Sequence, residues 1–113
     1  MSAGLLNILV EQGATFSKTL TIYSTGSTPL NLTGKTLRGK MRYKHQDASA
    51  CATFTFTLAN QSTNPGVVTM ALTATETDAI TQTKAVYDVE LVDGTTVTRL
   101  LEGQVFVSLN ATR

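Results

Sequence analysis

Four cations at every second position, Arg38, Lys40, Arg42 and Lys44, are the most chemically pointed feature of this chain. Side chains of a strand alternate between two faces, so an extended segment puts these four on one side and Leu37, Gly39, Met41 and Tyr43 on the other. One face can enter a core while the other offers positive charge to an acidic partner. Asp88 and Glu90 alternate in the same way and form a candidate acidic counterpart. With Lys84 and Arg99 close by, these two read as charges on an exposed sheet face. That reading is preferred to an acid–base pair, which needs a buried, convergent setting.

The residues needed for catalysis are sparse. There is one His and one Cys, His45 and Cys51, with no third group in sequence to orient them as a nucleophile and its base. Two such residues fall short of the three or four N or S ligands of a zinc site. Gly34 and Gly39 do not belong to a phosphate-binding loop. The chain therefore reads as non-enzymatic, with no cofactor and no metal. Nucleic acid is not the expected partner of the basic stripe. The net charge is only +1, and Tyr43, the one aromatic beside the stripe, faces away from it, so stacking platforms are missing.

Charge is unevenly spread all the same. Residues 12–46 hold Lys18, Lys35, Arg38, Lys40, Arg42 and Lys44 and no acid, which is +6. Residues 47–102 hold Asp47, Glu76, Asp78, Asp88, Glu90, Asp93 and Glu102 against Lys84 and Arg99, which is −5. A chain divided in this way suits pairing with copies of itself.

The elements that must carry these residues are mostly strands. The 113 residues suit one domain, residues 1–113, large enough for a core without metal or disulfide. Charged residues make up 15% of the chain, below the usual quarter, and 21 threonines take their place; β-branched Thr favours a pleated, half-exposed surface. Leu5 to Val10 is a first apolar run, broken by Glu11-Gln12-Gly13-Ala14. Thr15 to Tyr23 alternates, with Phe16, Lys18, Leu20 and Ile22 on one face. Lys18 is the odd member, expected near the strand's end, where its stem can snorkel. Ser24 to Pro29 reads as a loop, and Leu30-Asn31-Leu32 as a short plug into the core ahead of a turn at Gly34.

The basic strand spans roughly residues 36–44, followed by an exposed loop over 45–52. Phe54, Phe56 and Leu58 alternate with threonines, Asn64-Pro65-Gly66 marks a turn, and Val68, Met70 and Leu72 alternate again. Thr73 and Glu76 have the spacing of a capping box, which predicts one short helix near residues 74–80. Ala85 to Val92 and Thr95 to Leu109 form a hairpin around Asp93-Gly94. A two-residue loop places Asp88 opposite Arg99, and a three-residue loop places Val97 opposite Leu91; the pattern is compatible with both. Six to seven strands with turns every roughly 8–12 residues predict an all-β fold, an antiparallel β-sandwich ahead of a small barrel. The start of the chain lacks the form of a signal peptide, no segment has the length of a membrane span, and the lone Cys51 leaves no intramolecular disulfide. The Asn31, Asn60 and Asn110 triplets are read as chance matches to a glycosylation signal.

Three segments together are familiar: Glu11-Gln12-Gly13-Ala14-Thr15-Phe16, Leu30-Asn31-Leu32-Thr33-Gly34 and Leu37-Arg38-Gly39-Lys40-Met41-Arg42. They resemble small tail-associated proteins of tailed bacteriophages, and their order is similar to the N-terminal β-sandwich of phage upper baseplate proteins. Leu72 to Thr77, Tyr87 to Leu91 and Arg99 to Gly103 look like the second half of that domain. The resemblance implies a virion structural protein, an adaptor in the tail, baseplate or neck that attaches fibres or receptor-binding proteins. Its partners would be copies of itself, in a symmetric homo-oligomer, and other virion proteins, with neither nucleic acid nor membrane. A capsid decoration protein and a carbohydrate- or receptor-binding module are the alternatives. Scarce aromatics count against sugar stacking: Trp is absent, and Tyr23 is the best candidate. On the first reading Arg38, Lys40, Arg42 and Lys44 of one copy meet acids such as Asp88 and Glu90 of a neighbour.

Overall fold

A computed structural model describes residues 4–25 and 28–111, and of residues 24 and 25 the backbone alone. Two sheets carry the fold. The larger is built on the hairpin of β10 (Lys84–Asp93) and β11 (Thr96–Ser108). On one side β10 pairs with the basic strand β6 (Thr36–Arg42), which pairs with β7 (Ala52–Thr53). On the other side β11 pairs with β1 (Gly4–Leu5) and β2 (Ile8–Glu11), both parallel to it. The smaller sheet has the order β3 (Phe16–Thr21), β9 (Val67–Leu72), β8 (Thr55–Leu58). The fold is thus β-rich and two-sheeted as the alternation predicts. The pairing is mostly antiparallel, and the edge formed by β1 and β2 is the exception.

The core fills the space between the sheets with residues of one phase from each strand. Leu37 and Met41 of β6, Ala85, Tyr87, Val89 and Leu91 of β10, and Val105 and Val107 of β11 face Leu20, Val68, Met70 and Leu72 of the smaller sheet. Leu32 is fully buried, so the Leu30-Asn31-Leu32 plug forms, and Gly34 takes the positive φ (78°) that its turn demands. The chain changes sheets at Phe54. Its N–H donates to the Gly39 carbonyl, the next residues join β9, and its ring meets Phe16, Phe56 and Tyr87 at centroid distances of 6.2, 6.5 and 5.8 Å. Such tilted and edge-on pairs contribute beyond their area.

The helix α1 (Ala74–Asp78) carries the predicted capping box. Glu76 N–H donates to Thr73 Oγ1 at 3.1 Å, and Thr73 N–H donates to Glu76 Oε1 at 2.8 Å. Thr77 is buried and pins the helix to the loop after β2: its hydroxyl donates to Ala14 O and accepts from Gly13 N–H.

Five expectations are corrected. The described residues form eleven strands, several of only two to four residues, where six to seven are expected, because the 5–10 run breaks at Leu6-Asn7 and the run through Phe54, Phe56 and Leu58 is split between the two sheets at Phe54. The basic strand ends at Arg42, because residues 43–49 turn, with Asp47 N–H donating to Lys44 O. The 24–29 loop contains a small ribbon, β4 (Tyr23–Thr25) with β5 (Thr28–Pro29). Lys18 is not at a strand end. It sits mid-β3 opposite buried Met70 and reaches solvent because β3 is an edge. The hairpin takes neither predicted register. Its loop is Gly94-Thr95, which puts Val92 opposite Val97 and Glu90 opposite Arg99; a bulge at Leu100 then shifts the register so that Val89 faces Leu101. One inserted residue inverts the phase of everything before it, so Val97 is 48% exposed while Val105 and Val107 are buried. The small or polar terminal segments, Met1 to Gly4 and Asn110 to Arg113, are expected from the sequence to order on assembly, and residues 1–3, 112 and 113 of them lie outside the described residues.

Tyr87 ties the edge to the core. Its ring is buried and its hydroxyl donates to Leu6 O, in the break between β1 and β2. Burial pushes its pKa from 10.0 up to about 12. The folded state thus favours the neutral phenol, and this contribution is complete below pH 10 and lost as pH rises toward 12. Tyr87→Phe should lower unfolding free energy at neutral pH by about 1–2 kcal/mol, because Leu6 O loses its donor. It should also flatten the stability profile between pH 10 and 12, which urea titrations at stepped pH would measure.

Candidate functional site

The outer face of the larger sheet collects the charges singled out by the sequence. Register places Arg38 of β6 opposite Glu90 of β10, and Lys40 opposite Asp88. Arg38 Nε lies 2.7 Å from Glu90 Oε1. Arg99 lies opposite Glu90 but reaches diagonally, its Nε 3.6 Å from Asp88 Oδ2 and its Nη1 3.4 Å from Glu102 Oε2. The Asp88–Arg99 ion pair therefore forms, in a register that the sequence does not single out. These pairs are exposed and each contributes at most about 1 kcal/mol.

This geometry changes the meaning of the divided charge. The basic segment and the acidic segment are distant in sequence and adjacent in space, so part of the +6 and −5 is paired within one molecule, through Lys35–Asp93 and Arg38–Glu90. Asp88 and Glu90 already have partners inside the chain. The cations left without a carboxylate partner among the described residues are Lys18, Lys40, Arg42, Lys44 and Lys84, and three of these, Lys40, Arg42 and Lys44, belong to the basic stripe. Arg42 donates through Nε to the Asp47 carbonyl at 3.1 Å, and Asp47 Oδ2 accepts from Lys44 N–H. Lys44 itself stands beyond the strand in the following turn.

A shallow depression of about 620 Å³ lies over these residues, lined by Arg38, Lys40, Arg42, His45, Asp88, Glu90 and Arg99 among others. Four permanent cations against two carboxylates leave it at +2 with His45 neutral. It is open and polar, the form of a contact surface. His45 overhangs this face, whereas Cys51 packs partly buried against the core and donates its N–H to Met41 O at 2.7 Å. Burial raises the Cys51 pKa, which disfavours the nucleophilic thiolate. No hydrogen bond joins the two residues, and no group of three or more His, Cys, Asp or Glu suited to a metal occurs among the described residues. No helix among these residues is long and apolar enough to cross a membrane. Neither a family model nor a curated protein matches the chain.

A second surface was missed by motif reasoning. Leu5 (77% exposed), Leu9 (60%) and Phe106 (38%) lie on the β1–β2–β11 side of the larger sheet, with Leu9 directly across from Phe106. A signal for it exists in Leu5-Leu6-Asn7-Ile8-Leu9-Val10, which is apolar in both phases. An ordinary half-buried strand needs only one apolar phase; two imply cover on both faces.

Proposed function

We propose that this chain is a non-enzymatic structural protein of a bacteriophage virion, an adaptor that joins tail, baseplate or neck components through protein–protein contacts. The observation that carries the reading is the outer face of the larger sheet. It is open and polar, carries a +2 patch whose Lys40 and Arg42 lack carboxylate partners among the described residues, has Lys44 in the turn that follows, and is built on the adjacent strands β6, β10 and β11. Such a face suits an acidic surface on a neighbouring protein, since charge complementarity sets register and selects partners. The resemblance of residues 11–16, 30–34 and 37–42 to phage baseplate modules supplies the setting.

The geometry refines the residues assigned to the contact. Arg42, Lys40 and Lys44 meet the partner directly, Arg38 contributes while also held by Glu90, and Asp88 and Glu90 set the positions of Arg38 and Arg99. The combined Arg38→Glu and Arg42→Glu substitutions should remove the protein from assembled particles while stability falls only by the small value of the exposed Arg38–Glu90 pair and about 1 kcal/mol for the lost Arg42 bond to the Asp47 carbonyl. Occupancy measured by mass spectrometry of purified virions, with cryo-electron microscopy to locate the domain, tests this. Loss of occupancy with a folded variant supports the reading. Unchanged occupancy removes the charged face from it, and absence of the wild-type chain from virions removes the virion setting altogether.

A further inference from the structure

We infer that the open side of the sandwich, where β2 of the larger sheet and β3 of the smaller run beside each other, is a two-fold interface between two copies of this chain. This goes beyond the virion reading and does not depend on it. Both strands are edges: among the described residues β2 pairs only with β11, and β3 only with β9. Between them runs a groove of about 400 Å³ lined by Asn7, Ile8, Leu9, Glu11, Phe16 and Lys18 among others.

Three features of this side fit a second copy. The first is the unguarded edge. Edge strands usually carry Lys, Pro or an inward charge that discourages pairing. The β1–β2 segment has none of these: Glu11, at its end, is its only charge. Gln12 N–H and Leu6 N–H both point inward, to Ser108 O and Glu102 O. Backbone direction alternates along a strand, so the amide of Leu9 faces outward, available to another strand. The second is the apolar cover that Leu5, Leu9 and Phe106 need, exposed as they are on the same side. An antiparallel β2–β2 pairing extends the sheet across the two-fold axis and brings these side chains against their counterparts.

The third is charge. Glu11 and Lys18 line the same groove with opposite sign, and neither has an ion-pair partner among the described residues. An isologous interface must be self-complementary, and an antiparallel two-fold relation directs Lys18 of each copy toward Glu11 of the other. A hetero-partner strand would use the edge as well, but it leaves this pairing of opposite signs on one groove without a reason.

Sedimentation velocity of the purified full chain tests the inference. The wild type should dimerise. Leu9→Lys, at an exposed position where folding is unaffected, should weaken the dimer by at least about tenfold. Lys18→Glu should weaken it through like charges, and Lys18→Glu combined with Glu11→Lys should restore it. A wild-type chain that stays monomeric overturns the proposal. So does a dimer indifferent to Leu9→Lys or to Lys18→Glu, or a double variant no tighter than the single one.

Discussion

Gly103→Val should cost about 3 kcal/mol or more and detach the β1–β2 edge from the larger sheet. A Cβ at position 103 would stand 2.1 Å from the Leu6 carbonyl oxygen and 2.7 Å from its carbon, both main-chain atoms with no rotamer to escape into. Relief requires the 6–7 backbone to lift. That movement strains Leu6 N–H to Glu102 O, the Tyr87 hydroxyl to Leu6 O, and Gln104 N–H to Asn7 Oδ1. Overpacking alone costs about 1–3 kcal/mol, and each lost hydrogen bond adds about 1. Gly94→Ala is the useful contrast. Its Cβ meets nothing within 4 Å, so only the positive φ (61°) of the hairpin loop is strained, for about 1–2 kcal/mol. Urea denaturation of both variants gives the two costs. Amide hydrogen exchange then locates the damage: Gly103→Val should expose residues 8–11 while β9 stays protected. Similar costs for the two variants, or uniform loss of protection, would contradict this account of the edge.

Alternation was legible wherever one face is buried and the other wet, as in Leu37-Gly39-Met41 and Val68-Met70-Leu72, because strand period and burial coincide there. The capping box and the turns at Gly34 and Gly66 were legible because local chemistry determines them. The hairpin register was not. A bulge at Leu100 leaves no local mark, and its position answers to Val89 across the strand and to the β1–β2 edge beyond. The parallel pairing of β1 and β2 with β11 is equally silent, since it joins residues about 97 apart.

The candidate site divides along the same line. The face carrying Arg38, Lys40 and Arg42 follows from alternation. That Glu90 lies against Arg38 follows only from which strand sits beside β6. Summing charge by segment therefore suggested a separation that folding partly cancels. Lys18 shows the converse: a cation out of phase in an apolar face is informative, because it marks the strand with an open side.

Gly39 joins the charged face to the core, and Gly39→Val should destabilise the fold by about 3 kcal/mol or more. It is buried in the middle of β6, between Arg38 and Lys40, with its inner side turned to the smaller sheet. A Cβ there would lie 2.9 Å from the Asp88 carbonyl oxygen and 3.1 and 3.3 Å from two atoms of the Phe56 ring. Phe56 can tilt only against Phe54, which meets Tyr87 and Phe16 in turn. The Asp88 carbonyl belongs to β10 and moves only with the β6–β10 ladder that holds Lys40 opposite Asp88. Glycine in a strand ordinarily weakens it; here it admits an aromatic ring, and the two β-branched methyl groups of valine find no space. Gly39→Ala should fall between wild type and Gly39→Val, since its single methyl needs the Phe56 ring to give by a few tenths of an ångström and the Asp88 carbonyl oxygen to yield as well, without the further methyl groups of valine. Gly39→Ala combined with Phe56→Leu should recover part of that loss by trading the ring for a smaller side chain, a coupling that a double-mutant cycle measures directly. If the two substitutions prove additive, Phe56 is not what requires glycine at this position, and the Asp88 carbonyl alone sets the limit. In either case β6 presents Arg38 and Lys40 outward only as long as residue 39 lets the two sheets close beneath them.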